Sequence, residues 1–342
     1  MAHFFVESAV AVRSSLPPLR GRVREGGSTP PAGPSHARQN RTWLRYLLNL
    51  GLFTLMLGTV TTAALLVLFS YRSAELYTHP NRVAPSRTPA QVGLTYQDAR
   101  LLTEDGLHLA AWYVPGRNGA AVIMLHGIGS NRGEHLTLAR DLNSRGYGAL
   151  LMDLRAYGES EGEVSTVGVR EVRDIAAAVD YLRQQPGVES NRIVLYGRSL
   201  GAVVGIQAAA RIPEIRAVVA DSSFSSVEWL VHNQFSGVVN LPSWTSSLVL
   251  YFAERQTGID PATISPVRDV GRISPRPLLI VHGENDRMFN VENAHLLDDA
   301  AREPKELWIV PGVGHAGASS RDPSAYVDRL DRFFAAALAL DP

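Results

Sequence analysis

The sequence predicts an α/β protein: a mostly parallel, doubly wound sheet with a small helical cap, preceded by one transmembrane helix. Three observations carry that expectation. Short apolar runs at residues 120–125, 148–152, 192–196, 217–220, 277–281 and 306–310 alternate with helical stretches such as 134–144, 167–185 and 200–211. That is the pattern of a parallel sheet covered on both faces. Residues 46–71 carry no charge. The interval 222–269 is longer than one crossover helix requires and is rich in apolar residues, among them Phe224, Trp229, Phe235, Trp244, Tyr251 and Phe252.

Taken in order, residues 1–45 are rich in Pro, Gly, Ser and Arg, and set seven arginines against Glu7 and Glu25. They hold too little apolar area to offset chain entropy, which predicts a disordered basic tail. Residues 46–71 reach about 39 Å as a helix at about 1.5 Å per residue, beyond a bilayer core of about 30 Å. Apolar residues surround that helix, and Trp43, Tyr46 and Tyr71 flank it as interfacial aromatics do. A cleavable signal peptide is the rival reading. It calls for an apolar region of about 7–15 residues ending in a small-x-small site, whereas this run is longer and passes into Tyr71-Arg72-Ser73-Ala74-Glu75.

The seven arginines ahead of the span exceed the four behind it, Arg72, Arg82, Arg87 and Arg100. The positive-inside rule then puts the N-terminus in the cytoplasm and the rest on the far side of the cell membrane, as a single-pass protein. Residues 72–95, with Pro80, Pro85 and Pro89, read as a juxtamembrane linker. The folded domain follows over 96–340. It opens with a hairpin: a strand at 99–103, the turn Glu104-Asp105-Gly106 and a returning strand at 107–114.

Composition narrows the function. Of 342 residues, 33 are Lys or Arg and 33 are Asp or Glu, and none is cysteine. A zero net charge argues against a body built to grip nucleic acid. Without cysteine there is no disulfide scaffold, no cysteine-ligated metal and no cysteine nucleophile.

Ligands and catalytic groups in such sheets collect at the C-terminal ends of strands. After Ile193-Val194-Leu195-Tyr196 comes Gly197-Arg198-Ser199-Leu200-Gly201, then an alanine-rich helix. A serine in a G-x-S-x-G turn between strand and helix is exposed above the sheet, at a helix N-terminus that favours developing negative charge. Ser199 is therefore the candidate nucleophile, with Gly197 and Gly201 giving the room the turn needs.

A serine hydroxyl needs a base and a group to orient that base. Asp286 follows the run ending at Val281-His282, and His315 follows the run ending at Val310. Asp221, which closes the preceding strand, and Glu284 are rival acids. His282, within a strand, reads as a packed core residue; His3, His36, His79, His108, His135, His232 and His295 have no motif around them. Two backbone N–H groups must face the oxyanion, one from Leu200 and one from the loop Leu125-His126-Gly127-Ile128-Gly129. Ile128 is the choice there, with Gly127 permitting close approach and His126 bracing the loop. This glycine-rich loop lacks the G-x-x-x-x-G-K-[ST] pattern of a nucleotide site.

Together these residues resemble the α/β-hydrolase superfamily over residues 98–338. The likeness rests on His126-Gly127, on Asp153-Leu154-Arg155-Ala156-Tyr157-Gly158-Glu159-Ser160, on the elbow at Ser199, on Gly283-Glu284-Asn285-Asp286 and on Gly314-His315. It is nearest to single-pass, membrane-anchored abhydrolase-domain hydrolases, which are related to serine aminopeptidase-like sequences. Ala156 departs from the superfamily's D-x-R-G-x-G-x-S pattern, which has glycine there.

The resemblance implies an α/β-hydrolase fold, a Ser199–His315–Asp286 catalytic triad, hydrolysis of an ester, thioester or peptide, and no cofactor. The expected substrate is a small or lipid-like acyl ester, with the membrane held through 46–71, no nucleic acid, and 222–269 capping Ser199 with an apolar surface. A peptidase needs a site for a free amine, for which Glu159, Glu161 and Glu163 are the available acids. A non-catalytic platform of the same fold is the alternative from outside enzymology.

Overall fold

Burial on both faces explains why the apolar runs become strands. In the computed structural model, which describes residues 36–233 and 241–339, strands lie at β1 Gln97–Leu102, β2 His108–Val114, β3 Ala121–Leu125, β4 Gly148–Met152, β5 Ile193–Arg198, β6 Ile215–Asp221, β7 Leu278–Gly283 and β8 Lys305–Val310. They form one eight-stranded sheet in the order β1-β2-β4-β3-β5-β6-β7-β8. Strand β2 runs antiparallel to β1 and β4, and the remaining neighbours are parallel. The hairpin closes where Thr103 N donates to Leu107 O and Gly106 takes a φ of 85°.

The helices are α1 His36–Thr78, α2 Leu136–Ser144, α3 Glu171–Arg183, α4 Leu200–Ala209, α5 Val227–His232, α6 Trp244–Thr257, α7 Pro266–Asp269, α8 Glu292–Ala300, α9 Ala318–Arg321 and α10 Pro323–Ala339. Successive strand side chains point to opposite faces, and β3 is buried on both. Ile123 and Leu125 join Ile175, Leu182 and Ile206 from α3 and α4. Val122 and Met124 join Leu136, Leu142, Leu330 and Phe334 from α2 and α10. The doubly wound expectation is met, with a helical layer on each side.

Helix α1 exceeds the expected span at both ends. Residues 36–45, expected within the disordered tail, are helical; no Pro or Gly interrupts them, so the helix propagates backwards from the apolar run. The rest of that tail, 1–35, lies outside the described residues. At the other end the linker expected over 72–95 begins as two further turns of α1, which stop at Thr78, ahead of Pro80. Residues 40–78 are long and apolar enough to cross a membrane.

Residues from Thr61 onward belong to one compact unit with the sheet. Within it, Thr78 O accepts from Ser165 N at 2.8 Å, Val83 O accepts from Asn131 Nδ2 at 3.0 Å, and Leu94 is buried. The linker is thus laid onto the domain. The interval between β6 and β7 carries α5, α6 and α7; residues 234–240 within it lie outside the described residues.

Candidate active site

Ser199 sits at the corner between β5 and α4 with φ 53° and ψ −115°, a left-handed backbone that disfavours any side chain and typically costs about 1–3 kcal/mol. Its surroundings enforce that geometry. Ser199 N donates to Asp221 O at 2.8 Å, tying the corner to the neighbouring strand end. A Cβ on Gly197 would lie 2.7 Å from Ala202 N, and one on Gly201 would lie 2.7 Å from the Leu125 carbonyl carbon. Both glycines let backbone pass where a side chain cannot. Gly127 differs from its expected role: a Cβ there would meet Ser199 Cβ at an ordinary 3.5 Å, so packing does not demand glycine at that position.

Three side chains meet at the elbow. His315 Nε2 lies 3.0 Å from Ser199 Oγ, and His315 Nδ1 lies 2.7 Å from Asp286 Oδ2. With the carboxylate accepting from Nδ1–H, Nε2 is left as the acceptor for the serine hydroxyl. Asp286 is held by its other oxygen, Oδ1, which accepts from Met288 N at 2.8 Å and Phe289 N at 2.9 Å. The Phe289 ring packs edge-on against the His315 ring, 4.7 Å between centroids.

The rivals are engaged elsewhere. Asp221 is fully buried and accepts from Tyr326 Oη at 2.8 Å and Ser222 Oγ at 2.9 Å. Glu284 accepts from Gly312 N at 2.9 Å. His282 is buried beneath the acid loop, where Nε2 donates to Phe289 O at 2.6 Å, and burial pushes its pKa down.

Leu200 and Ile128 flank Ser199 in the same cavity wall. Among the described residues, no hydrogen bond occupies the N–H of either one. The neighbouring Gly127 N–H is already taken: it donates to Glu134 Oε2 at 2.8 Å. His126 braces the loop, because Nδ1–H donates to Gly127 O at 2.8 Å while Nε2 accepts from Leu154 N at 3.1 Å. That pairing fixes one neutral tautomer, and complete burial lowers the ring's pKa.

Sequence reasoning missed Glu134. Its Oε1 lies 3.3 Å from Arg198 Nη1, and Arg198 Nη2 donates to Ser319 Oγ at 2.7 Å. One carboxylate therefore ties the loop after β3, the elbow and the start of α9 together. Burial opposes ionisation of Glu134, but the Gly127 N–H and the Arg198 guanidinium favour its carboxylate and hold the pKa below its ordinary value. Ser222, also missed, has a φ of 59° and accepts from Ala316 N at 3.1 Å, pinning the backbone after His315. Neither residue belongs to a motif, and only the fold brings them in.

The Asp153–Ser160 segment is structural. Asp153 is buried and paired with Arg132, while Ser160 Oγ donates to Asp153 O at 2.7 Å. Ala156, where the superfamily has glycine, holds a φ of 66°. Glu159 pairs with Arg132, Glu161 Oε2 accepts from His108 N, and Glu163 is exposed.

In front of Ser199 lies a cavity of about 320 Å³, walled by Phe224, Leu230 and Val249 from the β6–β7 interval, by Phe289, and by Ala74 and Tyr77 of α1. Among the described residues, no Asp, Glu, Lys or Arg lines it. The expected apolar cover is present, and α1 contributes to it, which the sequence did not suggest.

Comparison with known proteins agrees with this fold. The chain is similar to YfhR of Salmonella typhi, an uncharacterized protein, at 30% identity over 279 residues, which is 76% of this chain and 87% of that protein. It is also 30% identical over 240 residues to the alpha/beta hydrolase domain-containing protein WAV2 of Arabidopsis thaliana, covering 65% and 72% of the two chains. Among solved structures, the Pyrococcus furiosus esterase Pf2001 matches with a TM-score of 0.65 at 29% identity, over 75% of this chain and 97% of that one. The profile of the alpha/beta hydrolase family matches residues 122–329, and on that match the chain belongs to the alpha/beta hydrolase family.

Proposed function

We propose that this protein is a membrane-anchored serine hydrolase that cleaves carboxylic ester or thioester bonds through an acyl-enzyme. The observation that carries the reading is the continuous chain from Ser199 Oγ to His315 Nε2, and from His315 Nδ1 to Asp286, at 3.0 and 2.7 Å. Ser199 Oγ attacks the substrate carbonyl carbon as His315 Nε2 takes the hydroxyl proton. Asp286 keeps the proton on Nδ1 and stabilises the imidazolium.

Negative charge on the carbonyl oxygen is met by the Leu200 and Ile128 N–H groups, each donor of this kind being worth about 10²–10³ in kcat. His315 then returns the proton to the departing alcohol or thiol, leaving acyl-Ser199. A water then attacks the acyl carbon as it gives a proton to His315, and His315 passes that proton to Ser199 Oγ as the acid leaves. Residues 46–71 hold the protein in the cell membrane, and the arginine bias of the preceding segment puts the catalytic domain on the extracytoplasmic side.

Covalent labelling of the full chain in detergent with a fluorophosphonate tests nucleophile activation without assuming a substrate. Labelling is expected for wild type and is lost in Ser199→Ala and His315→Ala. A folded wild-type protein that fails to label overturns the reading.

A further inference from the structure

The wall of the cavity facing Ser199 is built partly from the last two turns of the apolar helix itself. Ala74, Leu76, Tyr77 and Thr78 all line it, and Ala74 is buried among Val203, Phe224 and Val231. Those turns are fastened to α6: the Tyr71 and Phe252 rings meet edge-on at 5.5 Å, Thr78 Oγ1 donates to Gln256 Oε1 at 2.6 Å, and Gln256 Nε2 donates to Tyr71 O at 3.4 Å. The uncharged run ends at Tyr71. Ala74 is three residues further on, about 5 Å along the axis. The cavity therefore begins at the depth where a membrane's apolar interior gives way to its headgroups.

Around that point apolar and charged groups mix, as at an interface: Leu76 is 61% and Tyr251 52% exposed, beside the exposed Arg72–Glu75 ion pair. Among the described residues the interior offers an uncharged lining and about 320 Å³, at the small end of ligand pockets. That suits one acyl chain.

We infer that the substrates are single-chain acyl esters taken directly from the leaflet in which α1 is anchored, with the end of α1 acting as the wall that sets acyl-chain length. This rests on the serine hydrolase reading above. The chain slides from the leaflet along Ala74 and Tyr77 into the cavity, which places its ester at Ser199 and leaves the polar head toward water. Anchor and specificity wall are then one element.

The test uses full-length protein reconstituted in phosphatidylcholine vesicles, with monoacylglycerols from butyryl to palmitoyl as substrates. Fluorophosphonate labelling of the same preparation serves as the separate measure of Ser199 activation. The value of kcat/KM should rise by up to about fourfold per methylene until the cavity is filled, and the vesicle's own two-chain phosphatidylcholine should not be cleaved. Ala74→Leu should move the maximum to shorter acyl chains by about three methylenes, the size of the added group, and Tyr77→Ala should move it to longer ones. The same ester should turn over faster in the protein's own bilayer than when supplied bound to albumin.

Labelled protein with a flat chain-length profile, or unmoved maxima in both variants, overturns the inference. Equal rates from bilayer and albumin overturn the delivery from the leaflet. Loss of labelling in wild type overturns the hydrolase reading instead. Should Ala74→Leu fail to fold by thermal unfolding, the cavity-enlarging Tyr77→Ala carries the test alone.

Discussion

Gly201→Ala should break the elbow by backbone collision alone. A Cβ at this position would lie 2.7 Å from the Leu125 carbonyl carbon and 2.8 Å from His126 O, where carbon–carbon contacts favour roughly 3.5 Å. The first turn of α4 and the end of β3 must therefore separate by close to 1 Å. Strand β3 is paired on both sides, to β4 and β5, and cannot give way cheaply.

Overpacking against side chains costs about 1–3 kcal/mol; with backbone as the obstacle the upper end applies, about 3 kcal/mol. In a domain of this size that is a fall in Tm of roughly 6–12 °C. The shift also carries the Leu200 N–H away from the oxyanion, so labelling by a fluorophosphonate should slow by on the order of 10²-fold.

Gly127→Ala is the matched control, because its Cβ would make an ordinary 3.5 Å contact. It should stay within about 1 kcal/mol of wild type. Tryptophan-fluorescence unfolding of the full chain in detergent, with labelling rates alongside, reads both quantities. Equal stability and equal labelling for the two variants would refute the packing argument.

Other expectations follow from the same contacts. Glu134→Gln keeps the shape but removes the charge that holds Gly127 N and Arg198, worth about 1.5–3 kcal/mol; labelling and ester turnover should fall about tenfold to a hundredfold, with KM for a short ester little changed. Burial lowers the His135 pKa to about 4 and also lowers that of His126. Both stay neutral in the native state while the unfolded chain takes up protons below about pH 6.5. Stability is then complete above pH 6.5 and lost as pH falls toward 4, by about 3 kcal/mol for His135. Denaturant unfolding at a series of pH values should show that loss, and His135→Gln should flatten it. Ala156→Gly relieves a left-handed alanine and should stabilise the domain by up to about 1 kcal/mol without altering turnover, as read by Tm and an ester assay.

What could be read from the chain depended on whether a residue's position follows from its neighbours. Ser199, Asp286 and His315 each come directly after an apolar run, so once those runs are strands of one parallel sheet the three are delivered to the same edge. Ile128 and Leu200 are legible for the same reason. Glu134 and Ser222 escape, because nothing near either one in sequence announces a contact with Gly127 N or Ala316 N; each is made by the crossing of distant loops. The ends of α1 were misjudged for a simpler cause. Proline-rich, charged sequence reads as tail or linker, yet the helix continues until Pro80 stops it, and packing then covers Ala74, which charge patterning alone cannot foresee. Gly127 looked necessary because it stands beside a motif, but the space around it is ordinary.

The floor beneath the elbow comes from the far end of the chain. Tyr326 on α10 donates to the buried Asp221 carboxylate at 2.8 Å and accepts from Tyr196 Oη at 3.2 Å, and burial together with Asp221 keeps its phenol protonated far above neutrality. Asp221 is also the strand end whose carbonyl holds Ser199 N. On the ribosome Tyr326 follows Asp221 by 105 residues, roughly 5–20 s at the usual pace of synthesis. Throughout that interval the serine's support is incomplete, although α1 has already been made. The order of elements thus acts as a safety catch: α1 and the serine corner are made first, and the floor beneath Ser199 is finished only once α10 has docked.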